Sequence, residues 1–198
     1  MSQAEVETIL KNIAERYRPL IALIAATGLR IGEALGVKHS DFSNDCTLLQ
    51  IKRSVWGGEP QLPKTTNALR LIDIPEPFAK VLREYVKQNS DSYLFETKAK
   101  TPMIDRNALK ALHAVKAVGF HAFRRFRTET LRRARVPEDL IHMWLGHASG
   151  SVTDLYAEGL RNDEQFRRTW CESVGVGFSL NGLRGYTNLV EMKVAKGA

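Results

Sequence analysis

A single strand-like block lies between helical segments in this chain, and that arrangement restricts it to a mainly helical domain with one small sheet. From Cys46 to Trp56 the residues alternate among β-forming types. Gly57-Gly58 then turns the chain, and Leu69-Arg70-Leu71-Ile72-Asp73-Ile74 reads as a returning antiparallel strand. Upstream, Val6, Ile9, Leu10 and Ile13 recur at helical spacing within Ala4 to Tyr17. Pro19 suits the first turn of a second helix that Gly28 ends. A short helical turn follows through Ala34 and Leu35, and Ser40-Asp41 marks a loop. Downstream, helices are expected from Pro77 to Gln88, Ile104 to Lys116, His121 to Arg135, and Pro137 to near Gly146. Ser151-x-x-Asp154 has the form of a capping signal for a short helix holding Leu155 and Tyr156, and another helix is expected from Asp163 to Cys171. Gly175, Gly177, Gly182 and Gly185 predict a loosely structured tail from Ser173. The fold class is α+β, mainly α, with a small antiparallel β-sheet.

Composition narrows the class further. At 198 residues, 43% apolar and 26% charged, the chain is a soluble globular type, long enough to bury roughly 70% of its unfolded surface. It needs no disulfide or metal to fold. Cys46 and Cys171 lie far apart and belong to no Cys-x-x-Cys pair, so both are expected as free thiols in a cytoplasmic protein. The longest apolar stretch, Leu20 to Ala26, is far short of the ~20 residues that span a membrane. With 29 basic and 22 acidic side chains the net charge is +7, which favours a polyanionic partner, with nucleic acid ahead of a membrane surface.

The charge is concentrated. His121 to Arg135 holds six arginines, Arg124, Arg125, Arg127, Arg132, Arg133 and Arg135, against the single acid Glu129. On a helical wheel Phe123, Phe126, Thr130 and Ala134 fall on one face, while His121, Arg124, Arg125, Thr128, Arg132 and Arg135 gather opposite. A basic face alone is more often a solvated surface. However, His121 and Arg124 stand in the first turn, where free N–H groups and the helix dipole favour an anion. Thr27-Gly28-Leu29-Arg30-Ile31-Gly32-Glu33 sets Arg30 at the junction where an apolar helix breaks, and a guanidinium offers two parallel donors suited to phosphate. Leu145-Gly146-His147 puts a histidine just past a helix end, and Tyr156 follows nine residues later.

Taken in order, Gly-Leu-Arg-x-Gly-Glu (Gly28 to Glu33), a lysine in the hairpin (Lys64), His-x-x-Arg (His121 to Arg124), Leu-Gly-His (Leu145 to His147) and Tyr156 resemble the catalytic domain of the tyrosine recombinases, the phage-integrase family. The resemblance covers about residues 4 to 172. It implies a DNA strand-transfer enzyme that uses neither metal nor cofactor and forms a 3'-phosphotyrosine with a free 5'-hydroxyl. Tyr156 matches the nucleophile, Arg30 and Arg124 the arginine pair on the scissile phosphate, and His121 and His147 the two histidines. Glu33 matches the acid supporting the first arginine, and Lys64 the lysine that protonates the leaving oxygen, with Lys52 on the preceding strand as the alternative. Arg125, Arg132 and Arg135 are expected DNA contacts. Two positions depart from the family pattern: Gly32 stands where serine is common, and Ala157-Glu158 follow the tyrosine where a histidine is often found.

The resemblance further implies double-stranded DNA as partner, a monomer when free and a tetramer on DNA, with no membrane association. Residues 1–172 form the expected catalytic domain, and 173–198 a tail that is either disordered or docked on a neighbouring protomer. On this resemblance the sequence is expected to lack the family's N-terminal DNA-clamp domain. Two rivals share these features: a type IB topoisomerase, which performs the same cleavage but relaxes supercoils, and a DNA-binding fragment without catalysis.

Overall fold

The computed structural model describes residues 1–61, 69–146, 159 and 162–184. Its first helix, α1 (Gln3–Asn12), starts on a reciprocal cap. The Ser2 hydroxyl accepts from the Glu5 N–H at 3.3 Å, and the Glu5 carboxylate accepts from the Ser2 N–H at 2.7 Å. Periodicity predicts this helix as far as Tyr17, but Ile13 turns extended (ψ 147°) and buries its side chain, so a 3-10 turn at Glu15–Tyr17 makes the connection instead. The second helix, α2 (Arg18–Thr27), is buried at every position from Leu20 to Thr27. A helix apolar all round has to sit inside the domain, and α2 packs against α1, against α3 (Ile31–Gly36) and against a long arginine-rich helix described below. Gly28 ends α2 in the left-handed conformation, as expected.

The strand block resolves into two antiparallel ladders. Strand β1 (Leu48–Ile51) is separated from β2 (Ser54–Trp56) by Lys52 and Arg53, and β2 folds back on β3 (Glu59–Gln61) across Gly57-Gly58. The returning strand, β4 (Arg70–Asp73), pairs with β1, placing Leu48 opposite Asp73 and Ile51 opposite Arg70. The expected single strand from Cys46 to Trp56 breaks because Arg53 is drawn out of the ladder. Its guanidinium donates to the Gly36 carbonyl at 2.9 Å and to the buried Asp41 at 3.1 Å.

Four further helices follow: α4 (Glu76–Arg83), α5 (Asp105–His113), α6 (His121–Arg133) and α7 (Glu138–Leu145), the last ended by left-handed Gly146. Helix α8 (Glu164–Val174) is the last among the described residues, with Asp163 as its cap. The main core gathers α1 to α5, strands β1, β2 and β4 and the inner face of α6, while a second cluster joins Leu131, Leu140, Ile141, Trp144, Leu145 and Cys171 beneath α8. No described helix is long and apolar enough to cross a membrane.

One expectation needs correction. Residues 173–184 are not loose: Val176, Phe178, Leu180 and Leu183 are buried in the main core. Arg18 donates to the Gly182 carbonyl at 2.9 Å, and Glu7 accepts from the Ser179 N–H at 2.8 Å. The glycines permit sharp turns between apolar anchors, so their presence does not weaken the packing. Residues 185–198 lie outside the described residues.

Candidate active site

The site is assembled where two helices end. The C-terminal carbonyls of α2 and α7 carry partial negative charge and have no partners within their own helices. Both turn to one side chain. Arg124, in the first turn of α6, donates through Nη1 to the Gly28 carbonyl at 2.8 Å and through Nη2 to the Leu145 carbonyl at 2.7 Å. Arg124 is 5% exposed. Burial, and next the charge of nearby Arg30, pull its pKa down to about 10, with Glu33 opposing, so it remains a cation at neutral pH. The helical-wheel placement of Arg124 on a solvated cationic face is therefore corrected. Arg127 is buried too, donating to the Gly175 carbonyl at 2.7 Å. Carbonyls from distant helix ends satisfy both guanidiniums, and a wheel that sorts residues by type does not register them.

Arg30 stands at the start of α3 with its side chain 49% exposed. Glu33 holds it from one turn ahead. The carboxylate accepts from the Arg30 N–H at 2.9 Å and from Arg30 Nη1 at 2.9 Å. From the opposite side Arg70 grips the same carboxylate bidentately, Nη2 to Oε2 at 2.8 Å and Nη1 to Oε1 at 3.1 Å. Burial on its own pushes the Glu33 carboxyl up. The bonds and charge of Arg70, with those of Arg30, outweigh burial and hold it below its ordinary value of 4.5. Glu33 is thus an ionised, nearly enclosed anchor with a cation on each side.

Arg30, His121 and Arg124 line one cleft of about 850 Å³, whose walls also include Arg53, Val55 and the exposed Trp56 of the β2–β3 hairpin. Among the described residues the lining carries three arginines against the single acid Glu33. Arg124 commits two of its five N–H donors to helix carbonyls, so the others are available to an anion in the cleft. His121 opens α6 and is exposed at its N-terminus, where no side chain caps the first N–H groups. Such an arrangement suits an anion, because the guanidiniums offer planar, paired donors.

The remaining sequence assignments divide cleanly. Lys64, His147 and Tyr156 lie outside the described residues. Lys52, the alternative lysine, pairs with Asp41 at 3.4 Å and does not line the cleft. Arg125, Arg132 and Arg135 are exposed along α6 and its C-terminal end. Gly32, where serine is common in the family pattern, sits so close to β2 that a Cβ would come 2.8 Å from the Val55 carbonyl oxygen. Sequence reasoning missed Arg70. A signal was present, since Arg70 shares the inward face of β4 with Ile72, and an arginine on the apolar face of a strand requires a buried partner.

Known proteins resemble this chain in sequence and in fold. A sequence model described as the phage integrase family matches residues 1–162. The chain is 26% identical to a XerC-like tyrosine recombinase of Caldanaerobacter subterraneus subsp. tengcongensis, over 76% of this chain and 50% of that protein. It is 28% identical to a probable integrase/recombinase protein of Methanocaldococcus jannaschii, over 79% of this chain and 52% of the relative. The chain spans about half the length of these curated relatives. Among solved structures, the integrase of mycobacterium phage Brujita superposes with a TM-score of 0.65 at 16% identity, covering 94% of this chain and 62% of that one. The Tn1549 transposon integrase, solved in complex with a circular intermediate DNA, gives 0.62 at 18% identity over 81% of this chain and 65% of its own. These likenesses establish the fold as that of the integrase structures.

Proposed function

The chain belongs to the phage integrase family, and from that premise we propose that it is the catalytic part of a site-specific recombinase that cuts and rejoins double-stranded DNA through a covalent phosphotyrosine. The observation that carries this reading is the cleft: Arg124 fixed on two helix carbonyls, with Arg30 and His121 on the same wall. The two guanidiniums bind the non-bridging oxygens of the scissile phosphate and stabilise the charge that grows there in the transition state. His121 accepts the phenolic proton of Tyr156, whose oxygen then attacks phosphorus. The bond from phosphorus to the 5'-oxygen breaks, Lys64 gives that oxygen a proton, and His147 adds a further donor. The phosphotyrosine conserves the bond, so a free 5'-hydroxyl religates by the reverse route without ATP.

The Tn1549 relative was solved on DNA, and the net charge of +7 supports the same partner here. In this reading Arg125, Arg132 and Arg135 contact the DNA backbone, and copies of the chain that are monomers in solution assemble as a tetramer on DNA.

A duplex nicked just beyond the cleavage point loses the short leaving strand and traps the adduct. We expect a covalent protein–DNA band that is absent in Tyr156→Phe. Salt-sensitive binding with no adduct on any substrate would instead identify a DNA-binding unit without cleavage, and an adduct that survives Tyr156→Phe would refute the nucleophile.

A further inference from the structure

We propose that Arg70 is a positioning residue of this site, fixing the Glu33 carboxylate, and through it Arg30, against the C-terminal end of α7. The proposal rests on the cleavage reaction above. Arg70 is 5% exposed and, among the described residues, reaches three oxygen atoms on two elements. Its Nη atoms hold both oxygens of Glu33, at 2.8 and 3.1 Å, and its Nε donates to the Trp144 carbonyl at 2.9 Å. It is seated tightly. A Cβ on Gly146, the residue that ends α7 at φ +66°, would lie 2.8 Å from Arg70 Nη1.

The consequence for Arg30 follows from the geometry of Glu33. That carboxylate accepts from Arg30 Nη1 and from the Arg30 N–H while Arg70 occupies its other side. Arg30 has a half-exposed, flexible side chain, and only a fixed carboxylate gives its guanidinium a fixed place in the cleft. Arg70 supplies that fixity. Bidentate geometry is essential, because a point charge at the same place leaves the carboxylate free to rotate. Arg70 also ties the start of α3 to the end of α7, whose Leu145 carbonyl holds Arg124. Arg30 and Arg124, two of the three described arginines lining the cleft, are thereby referred to one frame.

A buried ion pair that only stabilises the fold predicts a different response from a positioning one. Among the described residues the charged groups around Glu33 are Arg30 at the start of α3, Arg70 on β4 and Arg124 on α6. Removing Arg70 takes away the strongest influence that keeps Glu33 ionised and leaves the effect of burial less opposed. Glu33 then takes up a proton at a higher pH and releases Arg30.

The test uses the full chain, single-turnover cleavage of the nicked duplex between pH 5 and 8, and the variants Arg70→Gln, Arg70→Lys and Glu33→Gln/Arg70→Gln. Arg70→Gln is expected to cleave about 10²-fold more slowly at pH 7, the scale of a misplaced reacting group. Its rate relative to wild type should fall further as the pH drops, whereas the double variant, which has no carboxylate to titrate, keeps a constant ratio. Arg70→Lys should restore the constant ratio by returning the charge. Equal, pH-independent losses in all three variants would show that Arg70 is structural only. Carboxyl carbon NMR of Glu33 supplies an arm that does not depend on catalysis: its titration must move upward in Arg70→Gln, and an unmoved titration overturns the proposal. If wild type forms no Tyr156-dependent adduct, the cleavage reading fails by itself. Arg70 is then judged on that titration and on Arg30 Nε–H relaxation, where unchanged order in Arg70→Gln rejects it. Should Arg70→Gln not fold, Arg70→Lys carries the same NMR measurements, and loss of Arg30 order with Glu33 still ionised is the expected result.

Discussion

The two ends of β4 carry the same chemistry to different purposes. At one end Arg70 holds Glu33, and at the other, three residues on, Asp73 accepts from Arg167 Nε at 3.1 Å and from the Trp144 indole at 2.8 Å. Trp144 touches both ends, giving its carbonyl to Arg70 and its ring N–H to Asp73. Arg70, Glu33, Asp73 and Arg167 are all at most 6% exposed. What separates the ends is their third member. Glu33 also holds Arg30, half in water at the cleft, whereas the side chains of Asp73 and Arg167 are both at most 3% exposed. Among the described residues, two buried carboxylate–guanidinium pairs on one short strand thus differ in whether a solvent-exposed cation shares the carboxylate. Burial alone does not indicate which pair serves the site.

The largest effect expected from breaking this comparison is at the sealed end. Asp73→Ala removes the carboxylate from beside a buried guanidinium and deprives the Trp144 indole of its acceptor, a change that typically costs about 3–5 kcal/mol. Urea unfolding should show that loss with little change in the slope of the transition. Per folded molecule, adduct formation should be altered far less than in Glu33→Gln. A loss under about 1 kcal/mol would mean that Asp73 is not a structural anchor.

At the open end the expected order reverses, with a smaller cost in stability and a larger one in function. In Glu33→Gln the amide oxygen still accepts a hydrogen bond, so the loss of stability should be about 1–3 kcal/mol. Its pH dependence identifies the source. Glu33 has a folded-state pKa below its ordinary 4.5. Its ionised form therefore stabilises the protein above that value, and the contribution disappears as the pH falls through the folded-state pKa. The stability gap between wild type and Glu33→Gln should be constant from pH 7 to 5 and narrow below 4.5. Urea melts across that range decide it, and a gap that stays constant into acid would show that Glu33 gains nothing from its charge.

How much of this was legible in the sequence depends on distance along the chain. Pro19, Gly28 and Gly146 mark helix ends because their backbone restrictions act locally, and those boundaries hold. The order of Arg30, His121 and Arg124 was legible as a family pattern, and the fold brings these three to one cleft. For Arg70 the strand pattern signalled burial but not the partners, since those among the described residues lie 37 and 74 residues away and only the tertiary fold reveals them. The same reason hides the burial of Arg124 and Arg127, whose acceptors are backbone carbonyls that no side-chain pattern records. The segment from Ser173 misled in another way. Its glycines suggested looseness, while Val176, Phe178, Leu180 and Leu183, spaced among them, supply the anchors that fold it onto the core.

The smallest expected effect comes from the same pair of groups placed in water. On α6, Arg133 Nη2 meets Glu129 Oε1 at 2.5 Å, shorter than either contact between Arg70 and Glu33, yet the two side chains are 79% and 52% exposed. Short distance does not make this pair strong. In water the attraction is screened, and two flexible side chains lose freedom to make it, so such pairs contribute less than about 1 kcal/mol. Arg133→Ala should change stability by no more than about 0.5 kcal/mol and leave the relative rate of adduct formation constant with pH. Thermal unfolding and the cleavage assay on one preparation check both. A loss approaching that of Asp73→Ala would break the comparison at its base, because exposure would then not be what separates the structural pair from the surface one.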